Sequence, residues 1–525
     1  MSENEKYHPY WPETVIFWGA GTTEPLKIKT TKELGRTVQV LAETGDTRVS
    51  VNQAIPEASG PVRSEFAALL ELIDASGSGS DHEAMRTLSI PEPRARQLQT
   101  LYDWHAVKRV IERCPHNSAD GFSLDDLYNL LDLHIQTHKG IEVDGEFVTI
   151  DRLIAARRTL TMLTQLLHAI GYAELLHDPE IRVKFQRYHD FARMLTHRMS
   201  DEGVRRAADK VPLEHRQFYL FSYAVISMNW DPLLLWLILN AQKDMNDAPG
   251  APEVGNPPQP MKLFSDLAHF IAVRKVEGST PSAWYPMNET AVQQLNDEAY
   301  SSGRRVRIGK FYFPHGCHGF RQCPKCGKLT FYLGDEWRAD SPSLFPPQIL
   351  PSLSSRHPRS FEEKKAMDAG IFDAVQCASC GTITETHHTV IEMQTGFKIH
   401  QPSFIQEIQN DMKVAIENAR HIIFAGYSLP NDDFADRLML SARRKKHVRC
   451  SVIGFDHEAD DRWLYGAELN RYCHSTYSSF TDTLKRVASI FGEENVRGYG
   501  AGFPGVFMHH GKADARKIEN MMRVW

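Results

Sequence analysis

Two cysteine pairs, Cys323-Pro-Lys-Cys326-Gly and Cys377-Ala-Ser-Cys380-Gly, carry the clearest chemistry in the chain. Two residues between cysteines let both thiolates reach one ion, and the glycine that follows relieves the crowded turn, so four soft ligands close a tetrahedral zinc site. Zinc with four protein ligands keeps no open position, which makes its expected role structural. The gap of about 50 residues between the pairs exceeds the usual zinc-ribbon spacing. Cys317 and His318 also lie close enough to Cys323 to compete as ligands. His315, in Phe311–Gly319 (FYFPHGCHG), follows an apolar strand pattern, and an imidazole there can take a proton near neutral pH. Asn229-Trp230-Asp231 stands at the carboxyl end of another strand pattern, where open α/β sheets bind ligands. The bland alternative makes Asn229 a turn residue and Asp231 a helix cap.

Two glycine turns complete the candidates. Gly19-Ala20-Gly21-Thr22 follows the apolar run Thr14–Trp18 (TVIFW), and glycines there let main-chain N–H groups approach a diphosphate. Glu24 breaks the G-x-G-x-x-G pattern, which argues against a conventional dehydrogenase. The second turn, Gly426-Tyr427-Ser428, follows His421–Ala425 (HIIFA), and a further strand pattern, His447–Phe455 (HVRCSVIGF), ends at Asp456.

These residues need a frame. Thr30 and Glu33 have capping-box spacing, so a helix starts there and buries Leu34, Val38 and Leu41. Leucines at three- and four-residue intervals within Ser64–His215 predict a mostly helical insertion. Phe218–Met228 (FYLFSYAVISM) returns to a strand pattern; Pro232 suits the first turn of the helix that buries Leu233–Leu239. Asp247–Pro260 and Ser341–Arg359 are rich in proline and are expected to be loops. Strands alternating with helices predict an α/β fold: a Rossmann-like parallel sheet with helices on both faces, a helical insertion and a small zinc-binding lobe. The expected units are residues 1–63, the insertion 64–215, a return to the first domain over 216–310, the histidine segment and zinc lobe 311–395, and a final part with C-terminal helices 396–525.

Composition narrows the partners. The 525 residues exceed one ordinary core, and 42% hydrophobic with 24% charged residues is the balance of a folding globular chain. Lys+Arg 60 against Asp+Glu 66 leaves a formal charge of -6, which offers no global attraction for nucleic acid or anionic membrane. Arg443–Lys446 is a compact basic run, but it falls at a helix end where cations are favoured anyway. Met1–Tyr10 lacks the pattern of a secretory leader, no run spans a bilayer, and the eight cysteines do not form a disulfide scaffold, so a cytoplasmic location is expected.

Taken in order, GAGTT, N-W-D, F-P-H-G, the two C-x-x-C pairs and G-Y-S-L-P-N-D-D-F resemble the sirtuin family, over segments of about residues 14–45, 218–240, 308–330 and 375–456. The likeness is to its bacterial branch, whose members often carry T-N-x-D and G-Y-S-L-P where the deacylases have Q-N-I-D and G-T-S. The resemblance implies NAD as substrate. Gly19, Ala20, Gly21 and Thr22 would line its diphosphate, with Gly426, Tyr427 and Ser428 approaching from a later strand. Asn229 and Asp231 would handle the nicotinamide ribose, His315 would be the catalytic histidine, and Asp456 would face the adenosine ribose. Cys323, Cys326, Cys377 and Cys380 would be the structural zinc module.

Departures from the deacylases bear on the acceptor. Met228 replaces their glutamine, and EPLKIKTTKEL after GAGTT lacks their D-F-R segment, so no acyl-lysine channel is expected and water is the simplest acceptor. The expectation is an NAD hydrolase, with a role in bacterial antiphage defence implied by resemblance alone. The alternatives are an NAD-dependent protein deacylase or ADP-ribosyltransferase, and a non-catalytic NAD or ADP-ribose sensor. The helical insertion could serve a protein partner or a homo-oligomer.

Overall fold

The computed structural model describes residues 11–43, 46–55, 60–74, 81–88, 90, 92–117, 121–208, 221–254, 258–274, 280–288, 291, 305–333, 360–369, 375–384, 388–392, 401–430, 433–443 and 447–525. The expected loop Ser341–Arg359 lies outside these residues, as do 1–10, 209–220 and 444–446, on which parts of the leader, insertion, strand and basic-run readings fall.

Nine strands form one sheet: β1 (Thr14–Trp18), β2 (Phe221–Ser227), β3 (Glu253–Val254), β4 (Gln259–Asp266), β5 (Arg305–Tyr312), β6 (His421–Ala425), β7 (Arg449–Ile453), β8 (Trp463–Tyr465) and β9 (Val496–Tyr499). Their spatial order is β8-β9-β7-β6-β1-β2-β5-β4-β3. The inner strands all run parallel, and only the edge pairs β8/β9 and β3/β4 are antiparallel. Every residue of β1, β2 and β6 is buried, which is why these runs are almost continuously apolar instead of alternating. Register is set at the centre, where Ile16 opposes Val225 on one side and Ile423 on the other.

From β1 the chain moves to β2 and outward, then crosses back to β6 on the opposite side of β1. The connections leaving β1 and β6 therefore diverge above their carboxyl ends and open a crevice.

Helix α1 (Thr31–Glu43) begins as its sequence predicts: the Thr30 N–H and hydroxyl both donate to Glu33 Oε2, at 2.7 and 2.9 Å. Its buried face, Leu34, Val38 and Leu41, joins a second core with Leu69, Val107, Leu127, Leu160 and Leu163. Two long helices follow, α2 (Ile150–His177) and α3 (Pro179–Ala208). Helix α3 turns Tyr188, Phe191 and Leu195 into the main core. Helix α4 (Leu233–Asp247) buries Leu233–Leu239 as expected, and among the described residues no helix is long and apolar enough to cross a membrane.

Two expectations need correction. Asp247–Pro260 is not wholly loop, since Glu253 and Val254 pair with Pro260 and Gln259. Proline is tolerated there because this is the sheet edge, where a missing N–H costs no ladder bond. The C-terminal helices expected in the final part are interrupted, because β9 (VRGY) enters the main sheet parallel to β7. Pro232 stands at the start of α4 as expected, its carbonyl accepting from Trp236 N–H at 2.9 Å.

A smaller sheet, with Leu329–Tyr332, Gly316–Gln322 and His388–Ile391 adjacent and Ile271–Arg274 and Ser282–Trp284 outside them, leads into the first cysteine pair, and the second pair sits on a separate two-stranded ribbon, Val375–Gln376 with Ile383–Thr384.

Candidate functional site

Each cysteine pair forms the same turn. Cys323 N–H donates to Lys328 O at 3.0 Å and Gly327 N–H to Cys323 O at 2.9 Å; Cys377 and Gly381 repeat the pattern at 2.9 and 3.0 Å. Both glycines have φ of +69°, the left-handed conformation this turn needs. The sulfurs face one another, with Cys323–Cys380 at 3.9 Å and Cys326–Cys377 at 3.7 Å, and all four lie within 4.8 Å of one another. A tetrahedron with metal–sulfur bonds of about 2.3 Å has edges of about 3.8 Å, so the four thiols can hold a metal ion without rearrangement. Burial pushes the Cys377 thiol up to about 12, whereas hydrogen bonds at Thr382 draw exposed Cys380 down to about 6. Cys317 and His318 do not join this cluster: Cys317 is buried in the main core, and His318 Nε2 meets His168 Nδ1 at 2.5 Å.

A second site lies at the crevice. A cavity of about 220 Å³ is lined by Gly19, Ala20, Asn229, Asp231, His315, Gly426, Tyr427 and Ser428, residues from the carboxyl ends of β1, β2, β5 and β6. Met228, Glu392, Lys29, Asp125 and His168 complete much of its wall.

Asn229 is held by its neighbours on the chain. Met228 N–H donates to Trp18 O at 2.9 Å, the Ser227 hydroxyl to Asn229 O at 3.2 Å, and His318 N–H to Trp230 O at 2.8 Å. The main chain is thus tied on both sides, while the buried Asn229 Nδ2 completes no hydrogen bond among the described residues. It nonetheless favours the ionised Asp231 carboxyl. Asp231 Oδ1 accepts from Leu233 N–H at 3.0 Å, so the helix-cap reading of Asp231 holds alongside its place in the cavity. Burial pushes its carboxyl up to about 6, against the lowering effect of the Leu233 N–H, Tyr172 and Asn229.

His315 sits in the turn after β5. Its carbonyl accepts from Glu392 N–H at 2.8 Å, and Gly316 (φ +75°) makes the turn possible, since a Cβ there would lie 2.1 Å from Val390 O. His315 Nε2 is 3.8 Å from Asp436 Oδ2, and ligand atoms of His315, Asp433 and Asp436 lie within 4.8 Å of one another, all buried. Asp433 and Asp436 open helix α5 (Phe434–Ser441), and Asp433 also accepts from the Tyr427 hydroxyl.

The glycine turns do something other than expected. Gly19 N–H donates to Ala425 O and Gly21 N–H to Gly426 O, both at 2.9 Å, while the Thr22 and Thr23 amides bond back to Gly19 and Ala20. A Cβ on Gly19 would lie 2.6 Å from Gly426 O. The glycines therefore let two loops touch, and three of the amides expected to face a ligand, those of Gly19, Gly21 and Thr22, are already satisfied. Thr22 is buried behind the loop, donating to Gly19 O at 2.6 Å, and does not line the cavity. Substituting Gly426 by alanine places a Cβ 2.3 Å from Thr22 N at a φ of +58°. The expected outcome is a loss of about 2–4 kcal/mol in unfolding free energy, measured by denaturant titration.

Asp456 is not brought into the cavity. It accepts from the Ser478 hydroxyl at 2.6 Å and from Glu458 N–H at 3.0 Å. Burial opposes its ionisation, but these bonds outweigh that and hold the carboxyl below its ordinary value.

His168 is, with Lys29, Asp125 and Glu392, among the cavity residues that sequence reasoning missed. It lies on α2, bonds Lys29 O through Nε2 at 3.1 Å, and is drawn down to about 4 by burial, as burial also holds His318 far below the usual range. No protein-family model and no curated protein matches this chain.

Proposed function

We propose that this protein is a sirtuin-like enzyme that cleaves the nicotinamide–ribose bond of NAD, with water as acceptor, on a Rossmann-like sheet. The observation that carries the reading is the meeting of Asn229 and His315 in one cavity, with the Asn229 amide donor buried there beside Asp231. The cavity opens where the chain order diverges at the carboxyl ends of β1 and β6, the usual ligand position in open α/β sheets.

Nicotinamide in NAD is already cationic, so it departs without a general acid. The protein has to stabilise an oxocarbenium-like ribose and position the acceptor. Asn229 Nδ2 supplies a fixed donor for a ribose hydroxyl or the water, and His315 supplies the base. At about 220 Å³ the cavity is smaller than the roughly 300–1,000 Å³ of whole-ligand pockets, which suits the nicotinamide riboside end alone. Because the Gly19 and Gly21 amides are spent, the diphosphate contact falls to other groups of the wall, among them Lys29 and Thr30. The ion for the four cysteines is zinc, closed by its ligands and therefore structural.

Product analysis tests the acceptor. Purified protein incubated with NAD is expected to yield nicotinamide and free ADP-ribose in equal amounts, with no increase when an acetyl-lysine peptide is added. Nicotinamide that forms only with peptide, accompanied by acetylated ADP-ribose, would mean a deacylase instead.

A further inference from the structure

We propose that Asp436 is the positioning residue of this site, the carboxylate that orients His315 and turns it into a base. The inference rests on the NAD-cleavage reading only for the reaction that it serves.

The two acids at the start of α5 have different surroundings. Asp433 takes the Tyr427 hydroxyl, which disperses its charge. Asp436 lies 3.8 Å from His315 and also faces the Tyr427 phenol, and all three groups are buried. That separation is an ion-pair distance and longer than a hydrogen bond, as is common for catalytic pairs before substrate tightens them. With Nε2 facing a carboxylate, the proton of the neutral imidazole belongs on Nε2 and the lone pair on Nδ1.

The other ionisable groups lining the cavity with His315 are Tyr427 beside β6, Asp231 after β2, Glu392 after the small sheet, and Lys29, Asp125 and His168 on the insertion side. Tyr427 is held protonated by burial beside the two acids, and His168 is neutral, so neither competes for the proton. Glu392 is engaged by the Gln401 amide at 2.7 Å.

In the reaction the C1′–N bond breaks and its electron pair leaves with nicotinamide, which becomes neutral. A water oxygen bonds to C1′ and gives one proton to His315 Nδ1. The imidazolium so formed lies against Asp436 and later releases that proton to solvent. NAD cation and water thus become nicotinamide, ADP-ribose and a proton.

The test compares the full-length wild type with Asp436→Asn, which removes the charge and keeps the shape, and with Asp436→Glu, which keeps the charge. The titration of His315 is followed by NMR on histidine-labelled protein, its resonance assigned among the 24 histidines by its absence in His315→Gln. Losing a carboxylate partner is expected to lower the His315 pKa by about 1–3 units in Asp436→Asn, while Asp436→Glu stays near wild type. Where NAD is cleaved, the base form is the active one, so activity rises with pH through that pKa. In Asp436→Asn the rise moves to lower pH, and the plateau rate falls roughly tenfold to hundredfold.

An unchanged His315 titration in Asp436→Asn overturns the proposal, whether or not the protein cleaves NAD. So does a second divalent metal per chain, beyond the one at the cysteines, that is lost in Asp436→Asn. A wild type that leaves NAD intact defeats the functional reading instead, and the titration still decides the pairing.

Discussion

Replacing Asn229 by alanine is expected to lower the rate of nicotinamide release about 10²- to 10³-fold while NAD binding changes little. The residue's main chain is tied through Met228, Ser227 and Trp230, and its buried Nδ2 completes no hydrogen bond of ordinary geometry among the described residues, so truncation should leave the fold intact. What disappears is a donor held in place before substrate arrives, and such a donor acts mainly on the charge that develops as the glycosidic bond breaks. The measurement is steady-state nicotinamide release with the NAD dissociation constant determined alongside. A fall in binding equal to the fall in rate would make Asn229 a ground-state contact only.

The second large effect is expected at the cysteines. Purified protein should carry one zinc per chain at this cluster by elemental analysis, and Cys377→Ser should carry none. Four thiols at tetrahedral spacing bind zinc with apparent free energies of about 10–16 kcal/mol in zinc-finger peptides, which dwarfs the contacts of a two-residue hairpin such as Val375–Gln376 with Ile383–Thr384. Loss of the ion should therefore raise hydrogen exchange across Gly316–Gln322, Leu329–Tyr332 and His388–Ile391. Because β5 and His315 lead directly into that sheet, activity should fall with it. Full protection and activity in metal-free Cys377→Ser would show that packing alone holds the lobe.

Much of the frame was legible because buried parallel strands announce themselves. TVIFW, HIIFA and SYAVIS are apolar on both faces and end in glycine or asparagine, so the runs and the turns that follow could be read without any partner. The two cysteine turns were equally clear, since their geometry is local. What stayed hidden depends on neighbours. The strand VRGY carries an arginine and a glycine in four residues and is recognisable only beside β7; its Arg497 is buried on Ser451 at 2.7 Å. The edge hairpin at Glu253 reads as loop because its prolines are permitted only where a sheet ends.

The candidate site shows the same division. Asn229, Asp231 and His315 could be picked out from turns at strand ends, and the parallel sheet brings those ends together. The glycine turns were found, and Gly19, Ala20, Gly426, Tyr427 and Ser428 line the cavity, but loop-to-loop contact uses amides that spacing alone suggested were open. His168 could not be found, because nothing in the helix pattern says that it reaches a cavity formed by strands far away in the chain. Asp456 followed the right strand, yet Ser478 and the Glu458 amide claim its carboxylate.

The most direct test of the central claim is the fate of NAD with the purified wild-type chain, with nicotinamide and ADP-ribose quantified over time at a fixed protein concentration. The account predicts that both accumulate together to many times the amount of protein. Saturable NAD binding with no product would contradict hydrolysis and leave a sensor, and the absence of both binding and product would contradict the assignment of this cavity to NAD.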